Sequence, residues 1–396
     1  MMRVFLMAVA VAALSAIVSA EPIVEIQSPA GAGAAEPFLF ATKNALLMSW
    51  LEPIAKSNRV ALRFARWSGR KWSEPRTIVE SDDLFVNWAD FPSIVEDAKG
   101  VLFAHWLQKS ASSTYAYDVQ MAISMDGGRT WSKPFALNRD GRKTEHGFAS
   151  LAPLPRGGVG VTWLDGRNMP EGKEEGEMSI RYATVDARAQ VHDDAALDTR
   201  TCECCATGMT MASKGAVVVY RDRSNDDIRD IAIVRRAGSR WTPPRLIRCD
   251  GWKINGCPVN GPQIDAIGDH AAVAWFTGAD NKGRVYVAFS NDAGVTFTDA
   301  VAIDDANPAG RVDIVMLDTT TALVTWLEQI GPGAEIRARR VRSNGQIEPA
   351  IKVADSSAAR AAGFPRIARM GREIYFAWTE QSATMKRIHV ASGTFQ

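Results

Sequence analysis

The sequence predicts an all-β fold. It reads as a single β-propeller of four-stranded blades, seven in number with six as the fallback, closed into a ring by the mature N-terminal strand. Three observations predict this. First, seven apolar runs end in an aromatic residue at Trp50, Trp106, Trp163, Tyr220, Trp275, Trp326 and Trp378, at successive spacings of 56, 57, 57, 55, 51 and 52 residues. Self-similarity at a fixed period is the mark of a repeat architecture. Second, each aromatic run is preceded by a second short run and followed by a period-two segment such as VALRFARW, VQMAIS or VYVAFS, the alternation of half-buried strands. Third, the last unit stops one strand short, while residues 21–27 (EPIVEIQ) resemble the Pro-led outer strands EPRTIV and KPFAL.

Taken in order, residues 1–20 come first. Arg3 precedes an apolar run that ends in Val18-Ser19-Ala20. This is the layout of a secretory signal, with cleavage expected after Ala20. It implies a periplasmic or secreted protein and no membrane span in the mature chain. Residues 21–396 then form one propeller of about 54 residues per unit. A lone blade cannot bury both of its faces, so neighbours must stack around a ring. Within each unit the strands are A to D from the inside out. For five units the first residue of strand A (Phe91, Phe148, Cys205, Asn260, Arg311) falls 15 before its aromatic. The chain is 46% hydrophobic and 23% charged, which excludes a disordered chain. Its 46 Lys+Arg against 45 Asp+Glu exclude a broad nucleic-acid footprint.

In a propeller the D-to-A and B-to-C loops share one face. Here they carry NWADFP (87–92), KTEHGF (143–148), TCECCATG (201–208), GWKINGCPVNGP (251–262) and PAGRVD (308–313). The B-to-C starts give Asp165-Gly-Arg167 and Arg221-Asp222-Arg223. Two residues beyond the core aromatics stand Glu52, Gln108, Asp165, Asp222, Thr277, Glu328 and Glu380, five of them acidic. They read either as solvated strand ends or as part of a mixed Asp/Arg pocket over blades two to five.

The turns between strands C and D carry a resemblance. Ser124-Met-Asp126-Gly-Gly128-Arg-Thr130-Trp131 and Ser290-Asn-Asp292-Ala-Gly294-Val-Thr296-Phe297 share the pattern S-x-D-x-G-x-T-aromatic. This resembles the Asp-box, or BNR repeat, of bacterial exo-alpha-sialidases and related propellers. The resemblance implies turns on the face opposite the ligand, an arginine clamp for a sugar carboxylate, an Asp acid/base and a Tyr activated by Glu. The family's Phe/Tyr-Arg-Ile-Pro motif has no counterpart in EPFLF; the nearest string is Phe364-Pro365-Arg366-Ile367 in the last unit.

The expected ligand is a glycan or another anionic small molecule. For exo-acting glycoside hydrolysis the acid/base candidates are Asp90, Asp165 and Asp222. The ligand-binding candidates are Arg167, Arg221, Arg223 and Arg311, with His146 and Asn260. Cys202, Cys204 and Cys205 lie in one D-to-A loop and Cys249 and Cys257 in the next. In an exported protein they read as disulfide staples or as a soft-metal site. No cofactor motif is present, and the C-x-C-C spacing differs from that of ordinary structural zinc pairs. Two further functional readings stand beside the sialidase-like one: a non-catalytic binding or scaffold propeller, and a metal- or redox-handling protein working through the cysteine loops.

Overall fold

The computed structural model describes residues 23–171, 176–382 and 385–395. The signal expected over residues 1–20 lies outside them. Seven antiparallel sheets make the ring, so the count is seven and not six. Blade 1 comprises Ala35–Ala41, Leu46–Pro53, Val60–Trp67 and Arg76–Ser81. Blade 2 comprises Ser93–Glu96, Leu102–Lys109, Tyr117–Ser124 and Phe135–Ala136. Blade 3 comprises His146–Pro153, Val159–Asp165, Met178–Val185 and Val191–Thr201. In blade 4, Gly208–Ala212, Gly215–Arg221 and Ile231–Ala237 are edged by two short pieces, Arg240–Trp241 and Arg245–Arg248. Blade 5 comprises Gln263–Ile267, His270–Thr277, Arg284–Ser290 and Val301–Ala302. Blade 6 comprises Pro308–Met316, Thr321–Ile330, Gly333–Arg342 and Ile351–Ser356. Blade 7 takes Arg366–Met370, Glu373–Gln381 and Lys386–Thr394 from the C-terminal end, and its fourth strand is Val24–Ile26. That strand pairs antiparallel with the last one, Val24 opposite Ser392 and Ile26 opposite Val390. The closing strand is shorter than the expected residues 21–27, and it covers what would otherwise be a bare sheet edge.

The apolar core is divided among the blade interfaces. Each repeated aromatic packs with the sheet before it: Trp50 with Tyr375 and Ala377 of blade 7, Trp106 with Leu47 and Phe64, and Trp163 with Phe103 and Val119. The same holds for Tyr220, Trp275, Trp326 and Trp378 at the remaining four junctions. One large ring per interface accounts for the spacing in the sequence, since aromatic side chains bring the most apolar area per residue.

The two Ser-x-Asp-x-Gly-x-Thr turns share one hydrogen-bond scheme. Ser124 Oγ donates to Asp126 Oδ1 at 2.8 Å and accepts the Gly128 N–H at 2.8 Å; Thr130 Oγ1 donates to Asp126 Oδ2 at 2.7 Å. Ser290, Asp292, Gly294 and Thr296 repeat it at 2.8, 2.8 and 2.6 Å. Gly128 is required: its φ is +84°, and a Cβ there would lie 2.7 Å from Phe64 Cε1 of the previous blade. Trp131 meets the same Phe64 edge-on at 6.0 Å. By strand order these C-to-D turns lie on the face opposite the D-to-A loops. Among the described residues, no helix is long and apolar enough to cross a membrane.

Candidate functional site

Strand alternation disposes of most of the acidic ring. Residues i and i+2 of a strand point the same way, so the polar residue two beyond a core tryptophan sits under its indole N–H. Trp50 Nε1 donates to Glu52 at 2.9 Å, Trp106 to Gln108 at 3.3 Å, Trp163 to Asp165 at 2.8 Å and Trp326 to Glu328 at 2.6 Å. These groups satisfy a buried donor, which is costly to leave unpaired. Neither predicted reading, solvated ends or a ligand pocket, describes them.

Asp165 illustrates the arrangement. Its fully buried carboxylate takes the Trp163 indole N–H and a two-pronged contact from Arg167, Nε at 2.6 Å and Nη2 at 2.8 Å. Beside it His146 Nε2 lies 2.9 Å from Asp140 Oδ2, and Asp140 also faces Arg167 at 3.5 Å. Asp140, His146 and Asp165 thus form one compact group, with Asp118 3.8 Å from the imidazole. The cysteines are not part of it.

Burial opposes charge on His146, but Asp140, Asp165 and Asp118 outweigh it and hold its pKa above the ordinary 6.5. Burial also opposes charge on Asp140. Hydrogen bonds from His146 and the Arg142 N–H prevail and hold its pKa below 3.8. The histidine's contribution is complete below 6.5 and fades as pH rises through its raised folded value. The aspartate's is complete above 3.8 and fades as pH falls through its lowered one. The stability lost in His146→Gln is therefore expected to be largest between about pH 4 and pH 6.5 and to shrink above that window. Urea unfolding of both proteins across the pH range measures it; a pH-independent difference would refute the charged pair.

Three of the predicted binding residues serve the scaffold. Arg221, 1% exposed, spends its guanidinium on backbone carbonyls: Asn260 O at 2.9 and 2.7 Å, Arg229 O at 2.6 Å and Phe276 O at 2.6 Å. Arg311 does the same with Ala358, Ala359 and Gly363 at 2.8–3.1 Å, and stacks over Trp88 at 5.0 Å. Burial lowers its pKa to about 10. Asn260 sits between them, its Oδ1 accepting the Arg311 N–H at 2.7 Å. Asp222 is half-buried at the end of blade 4. Burial and the nearby Asp198 and Asp230 raise its pKa to about 6, against the Arg223 backbone N–H.

The remaining candidates line two neighbouring spaces that share part of their walls. A cavity of about 100 Å³ in the central channel is lined by Asp90, Ser93, Ser150, Thr207, Gln263 and Arg366. Above it a pocket of about 550 Å³ opens between the D-to-A loops, with Trp88, Tyr115, Glu145, Glu203, Arg223 and Arg360 in its wall. Ala89 and Phe148 line both. Asp90 is buried and accepts the Phe148 N–H at 2.7 Å. Burial raises its pKa to about 8 despite that bond, and Glu145 adds to the rise. Tyr117 Oη donates to Glu145 Oε1 at 2.5 Å, and its ring stacks on Phe85 at 4.1 Å. Asp90 and Tyr117 both press on Gly147: a Cβ there would lie 3.0 Å from the tyrosine ring and closer still to Asp90 Oδ2.

Glu203 joins Arg223 and Arg229; Arg229 Nη1 donates to its Oε2 at 2.7 Å. Arg360 lies over the Trp88 ring at 5.9 Å and has no salt bridge among the described residues. Sequence reasoning picked out Asp90 and Arg223 and missed the lining residues Trp88, Tyr115, Glu145, Glu203, Arg229 and Arg360, and Tyr117 behind Glu145. Trp88 and Glu145 stand in loops marked as unusual; Tyr117 carries no repeat signal of its own.

No two cysteine sulfurs stand at bonding distance, so the structure does not show the expected disulfide staples. The Sγ atom of Cys202 lies 3.3 Å from that of Cys205 and 3.8 Å from that of Cys204, against about 2.05 Å for a disulfide bond. Cys249 is exposed.

No protein-family model and no curated protein matches the sequence. Among solved structures the chain is similar to a PL25 ulvan lyase, a polysaccharide lyase, with a TM-score of 0.57 and 10% identity over 92% of this chain and 95% of that one. It is also similar to a Hadza microbial sialidase (TM-score 0.49, 12% identity, 85% of this chain and 74% of that one). A Trypanosoma rangeli sialidase gives a TM-score of 0.48 at 11% identity, over 81% of this chain and 56% of that one. At such identities the likeness is one of fold.

Proposed function

We propose that the protein is exported and binds an acidic glycan, or a small anion of similar shape, in the pocket on its D-to-A face. The pocket of about 550 Å³ carries the proposal. It has the size of a small-ligand site. Trp88 and Tyr115 supply apolar surface for a sugar ring, and among the described charged residues Arg223, Arg229 and Arg360 outnumber Glu145 and Glu203. Arg360 is the group with charge to spare, because Glu203 already holds Arg223 and Arg229. The ulvan lyase of the same fold, solved with -[GlcA(1-4)Rha3S]- bound, supports a glycan ligand.

Calorimetric titration with free N-acetylneuraminate and glucuronate, with lactose as the neutral control, tests this. The acidic sugars are expected to bind and lactose to bind more weakly. Arg360→Ala is expected to weaken acidic-sugar binding about tenfold, the worth of one charge-assisted hydrogen bond. Equal affinity for lactose, or no binding of either acid, would overturn the reading.

One observation favours a second reading, exo-acting glycoside hydrolysis: the Tyr117–Glu145 hydrogen bond beside Asp90, whose carboxyl pKa burial pushes up to about 8. In that reading Asp90 donates the proton to the leaving group. Release of fluorophore from a sialic acid glycoside, abolished in both Asp90→Asn and Tyr117→Phe, would support it. Binding without release would leave the first reading standing alone.

A further inference from the structure

The D-to-A loops of blades 3 and 4 bring together the cysteines that the glycan reading does not use. Cys202 and Cys205 are buried, and Cys204 is partly exposed in the pocket wall. The three Sγ atoms lie within 4.8 Å of one another. Cys257, from the next loop, contacts the Cys204 thiol and also lines the pocket. Arg229 Nη1 donates to Cys202 Sγ at 3.1 Å.

We propose that Cys202, Cys204 and Cys205 form a binding site for a soft monovalent metal ion, Cu(I), with Cys257 covering its open side. Four features converge on this. The sulfur spacing suits an ion held at about 2.3 Å from each thiolate, which sets neighbouring ligand sulfurs roughly 4 Å apart. The donor set is all sulfur, and soft thiolates favour Cu(I), zinc and iron over hard ions such as calcium and magnesium; ligand number and charge then separate Cu(I) from zinc. It has three members: Cys257 touches Cys204 alone, and among the described residues no fourth ligand atom lies within 4.8 Å of all three sulfurs, whereas closed structural zinc sites are tetrahedral. His146 is committed to Asp140, and Glu203 to Arg223 and Arg229. Finally, three thiolates around a monovalent ion leave two negative charges uncompensated, more than a divalent ion would leave. The guanidinium on Cys202 and that of Arg221 behind Cys205 face this excess. Buried charge persists only where it is paired.

The site does not depend on the sugar reading, although both use the same pocket wall. The test is an anaerobic titration of the reduced, full mature chain with Cu(I) supplied as its bathocuproine disulfonate complex. The chain is expected to withdraw one Cu(I) per molecule, and X-ray absorption of the product is expected to show sulfur neighbours only. Cys204→Ser, at the partly exposed position, tests the ligand set with the least disturbance of packing; circular dichroism confirms its fold. It is expected to lower Cu(I) affinity at least ~100-fold, as loss of a direct ligand exceeds the 10–100-fold of an outer-shell change. Cys249→Ser is expected to bind as the parent does. Copper left on the chelator by the folded parent, nitrogen or oxygen in the metal shell, equal loss in Cys249→Ser, or displacement of Cu(I) by one equivalent of Zn(II) would each overturn the proposal. Titration of N-acetylneuraminate into the same samples reports on the sugar site separately.

Discussion

Gly261→Ala is expected to destabilise the protein by about 3 kcal/mol, the upper end of ordinary overpacking. Gly261 precedes the inner strand of blade 5 and lies against the backbone of Ala206, the residue after the cysteine cluster. A Cβ at 261 would lie 2.7 Å from the Ala206 carbonyl carbon and 2.8 Å from its nitrogen, and closer still to its oxygen. These are backbone atoms, so no rotamer change relieves the overlap. Either the 201–208 loop or the 251–262 loop must move, and the thiols of both loops move with it. Urea unfolding is expected to show a lowered midpoint with an unchanged slope. The Cu(I) titration is expected to show lost capacity. Gly333→Ala is the control: its φ is ordinary, and its nearest neighbours, Ile330 O and Ser356 O, are 3.8 Å from a built Cβ. A shift of under ~0.5 kcal/mol at 261, the scale of a neutral surface change, would mean that the two loops do not touch.

The same contrast between repeat and loop explains what the sequence could disclose. The ring was legible because each blade interface makes the same demand, a large ring against the previous sheet, so Trp50 to Trp378 recur at near-constant spacing. The closing strand was legible because a missing outer strand and a spare Pro-led segment stand at opposite ends of one chain. The acids two residues beyond the aromatics were visible as a set, but their task follows from strand alternation alone. Asp165 under Trp163 could have been derived from the i, i+2 rule. The site was less legible, because loops carry it and loops do not repeat. Tyr117, at the start of a blade 2 strand, meets Glu145 in the loop that leaves that blade, and the path of the 143–148 loop decides that contact. Arginines 221 and 311 looked like an anion clamp by residue type; the paths of their neighbouring loops turned them onto carbonyls. For the cysteines, sequence leaves bonded and unbonded thiols equivalent, and the separation of the sulfurs distinguishes them.

Arg221→Met is expected to cost about 4 kcal/mol, and the loss should fall on the scaffold rather than on ligand contact. Four hydrogen bonds run from this guanidinium to three carbonyls, those of Asn260, Arg229 and Phe276, and its plane lies 4.8 Å from the Trp252 ring. Methionine fills much of the volume but leaves those acceptors without their donor, and an unpaired buried polar group costs about 1–3 kcal/mol. Arg221→Lys should recover little, since an ammonium lacks the planar fork that serves several acceptors at once. Phe276 belongs to blade 5 and Arg229 to the loop that contacts Cys202, so one side chain ties two blades to the thiol cluster. Two measurements separate this account from a clamp. If Arg221 is a tie, the unfolding midpoint falls sharply, while the N-acetylneuraminate affinity of protein still folded at low temperature changes less than about threefold. Arg360→Ala gives the opposite pattern: a stability within about 0.5 kcal/mol of the parent and an affinity about tenfold weaker. A folded Arg221→Met protein that had lost acidic-sugar binding as completely as Arg360→Ala would place its guanidinium on the ligand instead.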